Sequence, residues 1–457
     1  MITFTNLAGA AEIGANSYLL EVDGTRLVLD TGVHPKKEGN ASKPRFELIG
    51  EGGVDAVFVT HAHLDHIGAL PVCQDLYPRA EVIMTPGTAE VGKAMLHNSV
   101  NVMTAKRLDS GIVEYPFFTH GELERASIGW TARPYGEAFR TGFRRDVLAM
   151  LCDAGHILGS CGVLLETERG ETIFYTGDVQ FEDQSLISGA QFPQEGVDIL
   201  IMECTHGATE RAADYTRKRE LQRLASAIRE TLDGGGAVLI PVFALGKSQE
   251  LLYELGRFRE AGLIPDVPIY FGGLGAKVTA IYDKLSSSTP RRMPGLRVQE
   301  QVATIPVPRT TDAYFPVSPG NIYLVSSGMM SPHTLSNRLA AQVLPHAKDA
   351  LLLVGYSDPD SPAGRIRAAA PGALVRLGDD PDHGQAYPLK CRLECFDFSG
   401  HAPRQAMLDY ACRLAPRHIV LVHGDEEALS TMRDMLQQRL PDTIITIPAP
   451  GSPCRLA

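Results

Sequence analysis

The sequence predicts an α/β protein of two or three domains, because of its length and two patterns of apolar residues. With 457 residues the chain is too long for one ordinary domain. Over about the first 200 residues, short apolar runs rich in β-branched residues each end in a polar or glycine-rich turn. In the middle of the chain, similar runs alternate with stretches of helical periodicity, which is typical of a separate α/β domain.

Six predicted strands each run into a residue that can bind a metal or a proton. Loops at the carboxyl ends of strands meet at one rim of a sheet, so these residues are expected to lie close together. The strands and the polar residues that follow them are 26–29 with Asp30, 56–59 with His61, 147–151 with His156, 172–175 with Asp178, 199–202 with Glu203 and 419–422 with His423.

The middle of the chain has its own sequence of elements. A helix is predicted around Leu224 and Ile228, which recur at helical spacing, and three glycines at 234–236 end it. A strand at 237–240 and a helix beginning near Lys247 follow. Further strands are predicted at 267–271, 322–325 and 350–354.

Composition excludes several classes of protein. Apolar residues make up 44% of the chain and charged residues 21%, as in ordinary globular proteins. There is neither an apolar run of the ~18 residues that a membrane span needs nor a secretory signal after Met1, so a cytoplasmic protein without a membrane partner is expected.

Eight cysteines in so long a chain do not suggest a disulfide framework. The net charge of −11 does not decide the substrate.

The strongest chemical signal is the run His61-Ala62-His63-Leu64-Asp65-His66, which follows a predicted strand. Imidazole and carboxylate groups are the usual nitrogen and oxygen ligands of zinc. Without a metal, four clustered polar groups would be buried at a cost of roughly 1–3 kcal/mol each where they lack partners. The motif therefore predicts a metal centre.

This run resembles the HxHxDH signature of the metallo-β-lactamase superfamily, and further pieces of that pattern follow in order. Asp30 in Leu29-Asp30-Thr31-Gly32 matches the early aspartate, which usually orients a histidine ligand. His156 in Gly155-His156-Ile157 matches the third histidine motif, and Asp178 in Thr176-Gly177-Asp178 matches the bridging aspartate.

A narrower resemblance is to the β-CASP nucleases, including short prokaryotic ribonucleases similar to the cleavage and polyadenylation specificity factor. Glu203, His401 and His423 stand where the acidic residue of motif A and the histidines of motifs B and C stand in that family. The resemblance implies a metallo-β-lactamase αββα sandwich with an inserted β-CASP α/β domain. It implies a first part of the core at 1–207, the insert at 208–388 and a return segment at 389–457.

Some positions depart from the β-CASP pattern. His206 stands where the family commonly has tyrosine, and Lys247 where it commonly has arginine. Pro403 follows the His-Ala of motif B in place of an acidic residue, and Ser357 replaces the usual glutamine. These departures spare the expected metal ligands, so they bear on the substrate rather than on the centre.

The resemblance implies two zinc ions per chain. In this hypothesis His61, His63 and His156 hold one ion, the other is held by Asp65, His66 and His423, and Asp178 bridges the two. A hydroxide shared by the two zinc ions attacks a phosphodiester. His401, oriented by Glu203, protonates the leaving oxygen, so that Asp65, Glu203 and His401 are the predicted catalytic residues.

Single-stranded RNA is the expected substrate, cleaved internally, with 5′-exonuclease action and a DNA substrate left open. Lys247, Ser326, Ser327 and Arg365 are expected to bind backbone phosphates, which position a strand without reading its sequence. Homo-oligomerisation is a further option. Two rivals remain: a metallohydrolase of a small ester, thioester or lactone, and a non-catalytic binding subunit.

Overall fold

The structure is a computed structural model that describes residues 1–9, 12–143, 146–308, 315–378 and 383–457. The chain forms two compact units. The first unit contains Met1–Asp183, Ile187–Arg211 and His401–Ala457, and the second contains Gln184–Leu186 and Ala212–Gly400. The domain boundaries expected after residues 207 and 388 stay a prediction.

The helices and strands of the described residues are numbered here in chain order. The strands are β1 (Ile2–Asn6), β2 (Tyr18–Val22), β3 (Thr25–Leu29), β4 (Ala56–Phe58), β5 (Glu81–Met84), β6 (Trp130–Ala132), β7 (Phe139–Thr141), β8 (Val147–Asp153), β9 (Cys161–Glu166), β10 (Thr172–Tyr175), β11 (Ile199–Glu203), β12 (Val238–Pro241), β13 (Ile269–Phe271), β14 (Ile305–Pro306), β15 (Ile322–Val325), β16 (Ala350–Leu353), β17 (Leu374–Arg376), β18 (Ala386–Pro388), β19 (Arg392–Cys395), β20 (His418–Val422), β21 (Ile444–Thr446) and β22 (Cys454–Arg455). The α-helices are α1 (Leu64–Ile67), α2 (Leu70–Leu76), α3 (Pro86–Ser110), α4 (His120–Ile128), α5 (Arg217–Asp233), α6 (Lys247–Glu260), α7 (Gly273–Lys284), α8 (Val298–Gln301), α9 (Leu335–Val343), α10 (Pro362–Ala368), α11 (Arg404–Leu414) and α12 (Glu426–Arg439).

Two seven-stranded sheets make up the centre of the first unit. One has the order β22-β1-β2-β3-β4-β5-β6 and the other the order β21-β20-β11-β10-β9-β8-β7. In each sheet, antiparallel pairs occupy one side and parallel pairs the other, so that β3 to β6 and β10, β11, β20 and β21 run parallel. The last segment of the chain therefore completes both sheets.

The two sheets pack face to face, and helices cover their outer faces. Phe4 and Phe58 of one sheet share a buried core with Leu151 and Ile201 of the other. Helices α2, α3 and α4 cover the outer face of the first sheet, and α11 and α12 cover that of the second. The αββα sandwich expected from the sequence is therefore confirmed.

The second unit is built on a six-stranded parallel sheet of order β14-β13-β15-β12-β16-β19, with the antiparallel pair β17-β18 beside it. Parallel strands need crossover connections, which here are mostly helices. Helices α9 and α10 pack against one face of the sheet. Val238 and Ile240, which alternate with Leu239 of that packed face, are also fully buried, so the sheet has two covered faces. This is the separate α/β domain expected from the sequence.

Within the described residues, the structure contains no helix that is both long enough and apolar enough to cross a lipid bilayer.

Candidate metal centre

The histidine-rich run lies where β4 ends and α1 begins. His61 is fully buried, three residues after the last residue of β4. His63 has extended backbone dihedrals just before α1, and Asp65 and His66 lie in that short helix. Gly32 packs against the helix so closely that a Cβ atom there would lie 1.6 Å from the carbonyl oxygen of Asp65. Glycine is therefore required at this position.

The other expected ligands come from the second sheet. His156 lies in the turn between β8 and β9, and Asp178 lies three residues after β10. His423 directly follows β20 and has a φ angle of +50°, in the left-handed region. A non-glycine residue in that region costs of order 1–3 kcal/mol, and such strain is concentrated at functional sites.

Four ligand atoms of the first group surround one point. Nδ1 of His63 lies 3.1 Å from Nε2 of His61 and 3.1 Å from Nε2 of His156. Oδ2 of Asp178 lies 3.4 Å from Nε2 of His61 and 3.7 Å from Nε2 of His156. Four ligands about 2.0–2.1 Å from one zinc ion lie about 3.3–3.4 Å apart, so this spacing fits a tetrahedral ion.

A second group surrounds a neighbouring point. Nε2 of His66 lies 3.3 Å from Nε2 of His423 and 3.7 Å from Oδ2 of Asp65. Nε2 of His423 lies 3.5 Å from the same Asp65 oxygen. Oδ1 of Asp178 lies 3.3 Å from Nε2 of His66, so the two oxygens of Asp178 face different groups.

The donor set fits a pair of cations. Oδ1 of Asp178 is buried and, among the described residues, accepts no hydrogen bond. An uncompensated buried carboxylate oxygen is costly, and a cation placed between the two groups removes that cost. The ligands, five histidines and two aspartates, are of the types that zinc and similar ions prefer.

Asp30 supports the candidate centre through hydrogen bonds to the residues around it. Its side chain is completely buried after β3. Oδ2 accepts hydrogen bonds from Nδ1 of His66 at 2.8 Å and from Oη of Tyr175 at 2.7 Å. Oδ1 accepts from the backbone N–H of Thr60 at 2.7 Å. Because a carboxylate can only accept, His66 carries its proton on Nδ1 and presents Nε2 to the centre.

His61 is oriented by its neighbour Thr60. The Thr60 hydroxyl donates to Oδ2 of Asp30 at 2.8 Å and lies 3.1 Å from Nδ1 of His61. Since its proton goes to the carboxylate, the hydroxyl accepts from Nδ1–H, which leaves Nε2 of His61 as the ligand atom. Burial, together with the charge of His66, holds the pKa of His61 well below its usual value, so its ring is neutral as a ligand must be.

A carboxylate–histidine pair lies beside the centre. Nδ1 of His401 lies 3.1 Å from Oε2 of Glu203 and 4.0 Å from Oδ2 of Asp178. The ring centroids of His401 and His156 are 4.6 Å apart. Burial lowers the pKa of His401, but the charges of Glu203 and Asp178 outweigh it and raise the pKa to about 9.

The loop after Asp178 fixes this pair. Oε1 of Glu203 accepts from the backbone N–H of Val179 at 2.6 Å. The carbonyl of Val179 accepts from the N–H of Ala402, and the Gln180 amide donates to the carbonyl of His401. The segment that carries His401 is thereby tied to the loop that carries Asp178.

The four residues expected to bind phosphate lie in the second unit. The buried side-chain nitrogen Nζ of Lys247 donates to the carbonyl of Phe398. Burial lowers the pKa of Lys247 to about 7. The guanidinium group of Arg365 donates to backbone carbonyls, among them that of Arg376.

Ser326 and Ser327 follow β15 directly. Their segment is tied to α9, because the backbone N–H of Ser336 bonds to the carbonyl of Ser326 and the Ser336 hydroxyl donates to that of Ser327. These contacts give structural partners to the side chains of Lys247 and Arg365 and to the backbone of the two serines, and the role of all four residues with a substrate stays a prediction.

Several residues of the centre carry no motif signal in the sequence. Tyr175 looks like an ordinary strand residue, and Thr60 is one threonine among many. Thr205 binds Nδ1 of His423 through its hydroxyl at 2.8 Å. Asn16 places its amide nitrogen 3.2 Å from Nε2 of His66. The only hint is proximity, because Thr60 and Thr205 adjoin motif residues.

Three family models match successive parts of the chain. The model of the metallo-beta-lactamase superfamily matches residues 11–102, the Beta-Casp domain matches 248–366, and the Zn-dependent metallo-hydrolase RNA specificity domain matches 386–448.

Similar proteins match nearly all of the chain. The endoribonuclease ysh1 of Schizosaccharomyces pombe is 29% identical, with 96% of this chain and 56% of that protein covered. The cleavage and polyadenylation specificity factor 73 of Drosophila melanogaster is 28% identical, with 94% and 61% covered. The transcription termination factor FttA of Methanothermobacter thermautotrophicus is 28% identical, with 92% and 66% covered. The chain thus spans less than two thirds of the length of these relatives.

A solved structure shares the fold. It is the crystal structure of a protein of unknown function from Enterococcus faecalis V583, with a TM-score of 0.55, 14% identity and full coverage of both chains. The sandwich, the successive domain matches and the histidine-rich run agree with one another. The chain therefore contains a metallo-beta-lactamase domain and a Beta-Casp domain.

Proposed function

We propose that this chain is a zinc-dependent phosphodiesterase that cleaves single-stranded RNA internally. The observation that carries the proposal is the contact of 3.1 Å between His401 and Glu203, beside the paired ligand groups. A zinc centre alone serves many substrates, but a histidine held by a buried carboxylate adds a proton donor for a leaving alkoxide.

Two ions per chain are proposed, with Asp178 shared between them. His61, His63 and His156 would hold one ion, and Asp65, His66 and His423 the other. Bound zinc ions would lower the pKa of a water molecule to about 7 and would stabilise negative charge on the phosphate oxygens.

The protein's own residues supply the remaining steps. Nδ1–H of His401 donates to Glu203, so Nε2 carries the proton that can be transferred. The oxygen of an activated water molecule bonds to phosphorus, and as the bond between phosphorus and the 3′-oxygen breaks, that oxygen takes the proton from Nε2. The products are one strand with a 3′-hydroxyl and one with a 5′-phosphate. The buried Glu203 stabilises the protonated ring before the transfer.

RNA is proposed over other substrates because of the relatives and the third family match. One relative is called an endoribonuclease, and the model that matches 386–448 is described as an RNA specificity domain. Lys247, Ser326, Ser327 and Arg365 are proposed to contact backbone phosphates.

The test is cleavage of 5′-labelled single-stranded RNA and DNA by zinc-loaded protein. We expect several labelled RNA products of intermediate length that end in a 3′-hydroxyl, with zinc content near two ions per chain. The control is the Asp65→Ala variant, which should lose an ion and cleave poorly.

Other outcomes would overturn the proposal. Turnover of a lactone or thioester without any cleavage of RNA would indicate a small-molecule hydrolase. Equal RNA cleavage by the Asp65→Ala variant would show that a contaminating nuclease is responsible.

A further inference from the structure

Helices α3 and α4 bring two histidines together on the surface of the first unit, and neither histidine is among the ligands of the candidate centre. Nδ1 of His97 lies 2.8 Å from Nδ1 of His120, and the two ring planes differ by 26°. His97 is 30% exposed and His120 lies on the surface, so the pair is open to solvent.

Each ring is held by an oxygen on its other nitrogen. Nε2 of His97 lies 2.9 Å from Oε1 of Glu124, and Nε2 of His120 lies 3.2 Å from Oδ1 of Asn101. Hydrogen bonds from Lys93 and His97 hold the pKa of Glu124 below its usual value, so its carboxylate is ionised. Carboxylate and amide oxygens only accept, so both histidines carry a proton on Nε2.

In the uncharged form of both rings with the proton on Nε2, the two Nδ1 atoms bear lone pairs that face each other. Two such lone pairs at 2.8 Å repel unless a cation lies between them. Two ligands about 2.0–2.1 Å from one zinc ion are about 3.3–3.4 Å apart. Small rotations of the two side chains would lengthen the distance between the Nδ1 atoms from 2.8 Å to this value.

The backbone beneath the pair is firmly placed. Leu96, beside His97, and Leu123, beside Glu124, are both fully buried in the same apolar core. Thr119 caps α4 in a reciprocal arrangement with Glu122, which fixes the first turn, where His120 lies. The pairing therefore follows from the packing of the two helices.

We propose that His97 and His120 form a second, exposed metal site that takes a divalent cation of the zinc, copper or nickel class. Neutral imidazole nitrogens suit these ions. Glu124 orients His97 as carboxylates orient histidine ligands in known metal sites. Water completes the coordination, and the ion links α3 to α4. The proposal does not depend on the proposed nuclease activity.

The test is equilibrium dialysis of the full chain against Zn²⁺ at pH 8, with zinc per chain measured at matched free concentrations. We expect wild-type protein to bind one more ion than the His120→Ala and His97→Gln variants, all of which retain the tightly bound zinc. The Glu124→Gln variant should still bind the extra ion, but with an affinity that is lower by about tenfold or more.

A matched control is His346→Ala, which removes another exposed histidine. It should bind zinc like the wild type. Identical zinc isotherms for wild type, His120→Ala and His97→Gln would overturn the proposal and would leave a proton as the cation shared by the pair. An extra ion lost equally in His346→Ala would also overturn it, because the binding would then be unspecific.

Discussion

The hydroxyl of Tyr175 donates a hydrogen bond of 2.7 Å to Oδ2 of Asp30, the same oxygen that accepts from Nδ1 of His66. Both side chains are buried, at 2% and 0% exposure, so water does not compete for the carboxylate. Tyr175 therefore acts on the centre indirectly, because it holds the carboxylate of Asp30, which in turn orients His66.

The Tyr175→Phe variant should bind zinc more weakly. It deletes one of the donors that hold Asp30, and changes in such supporting contacts typically cost 10–100-fold in metal affinity. We expect a loss of roughly tenfold, measured by zinc transfer to a chromophoric chelator. Tyr410→Phe is the matched control, because Tyr410 donates to the carbonyl of Pro193 in the same unit. Equal zinc affinity of the two variants would refute a role for Tyr175.

Glu203 and His401 should behave as one functional unit. His401→Ala and Glu203→Gln should each slow RNA cleavage, the former by about 10²–10⁴-fold, which is the usual contribution of a general acid. The double variant should be no slower than His401→Ala, because Glu203 acts through the ring that is gone. Single-turnover cleavage rates, with zinc content measured for each variant, provide the check. Additive losses would show that the two residues act separately.

Removal of metal should lower the stability of the first unit. Oδ1 of Asp178, which accepts no hydrogen bond from the described residues, and the surrounding imidazole nitrogens would then be buried without a cation. A ligand at 1,000 times its dissociation constant stabilises a fold by about 4 kcal/mol, so the effect of chelation should be large. Calorimetry with and without a chelator measures it. Asp65→Ala should respond less, and an equal response would place the stabilising ion elsewhere.

Part of this architecture follows from the sequence, because burial and polarity are local properties. Apolar runs predict β4, β10 and β20, and the polar residues after them predict His61, Asp178 and His423 at one rim. These expectations required only that strands be buried and that polar residues follow them.

Other features depend on contacts between distant segments. The hydrogen bond from Tyr175 to Asp30 joins β10 of one sheet to the residue that follows β3 of the other, and a tyrosine in a strand gives no sign of it. His97 and His120 meet only because α3 packs against α4, which helical periodicity alone does not specify. The protonation of a ring depends on its partner, as for Thr60 and His61, and a motif does not state the partner.

Lys247 provides a test of burial in the second unit. Burial is the largest cause that lowers the pKa of Lys247 to about 7, against a usual value of 10.5, and the nearby charge of Arg217 lowers it further. Between these values the unfolded chain binds more protons than the folded one, so this lysine makes the free energy of unfolding rise with pH. Below pH 7 both states are protonated and the cost of the buried charge is fully present. Near pH 10.5 the cost is gone.

The Lys247→Met variant removes this titration. It also loses the hydrogen bond to Phe398, but that loss is nearly the same at every pH above the folded-state pKa. The variant should therefore gain stability relative to wild type as pH falls from about 10 to about 7, by on the order of a few kcal/mol. Urea unfolding followed by circular dichroism at several pH values measures the difference. Lys348→Met, at an exposed position of the same unit, controls for the loss of a charge. A difference between Lys247→Met and wild type that does not change with pH would show that the lysine is charged and stabilised in the folded state, because only a depressed pKa couples folding to proton binding in this range.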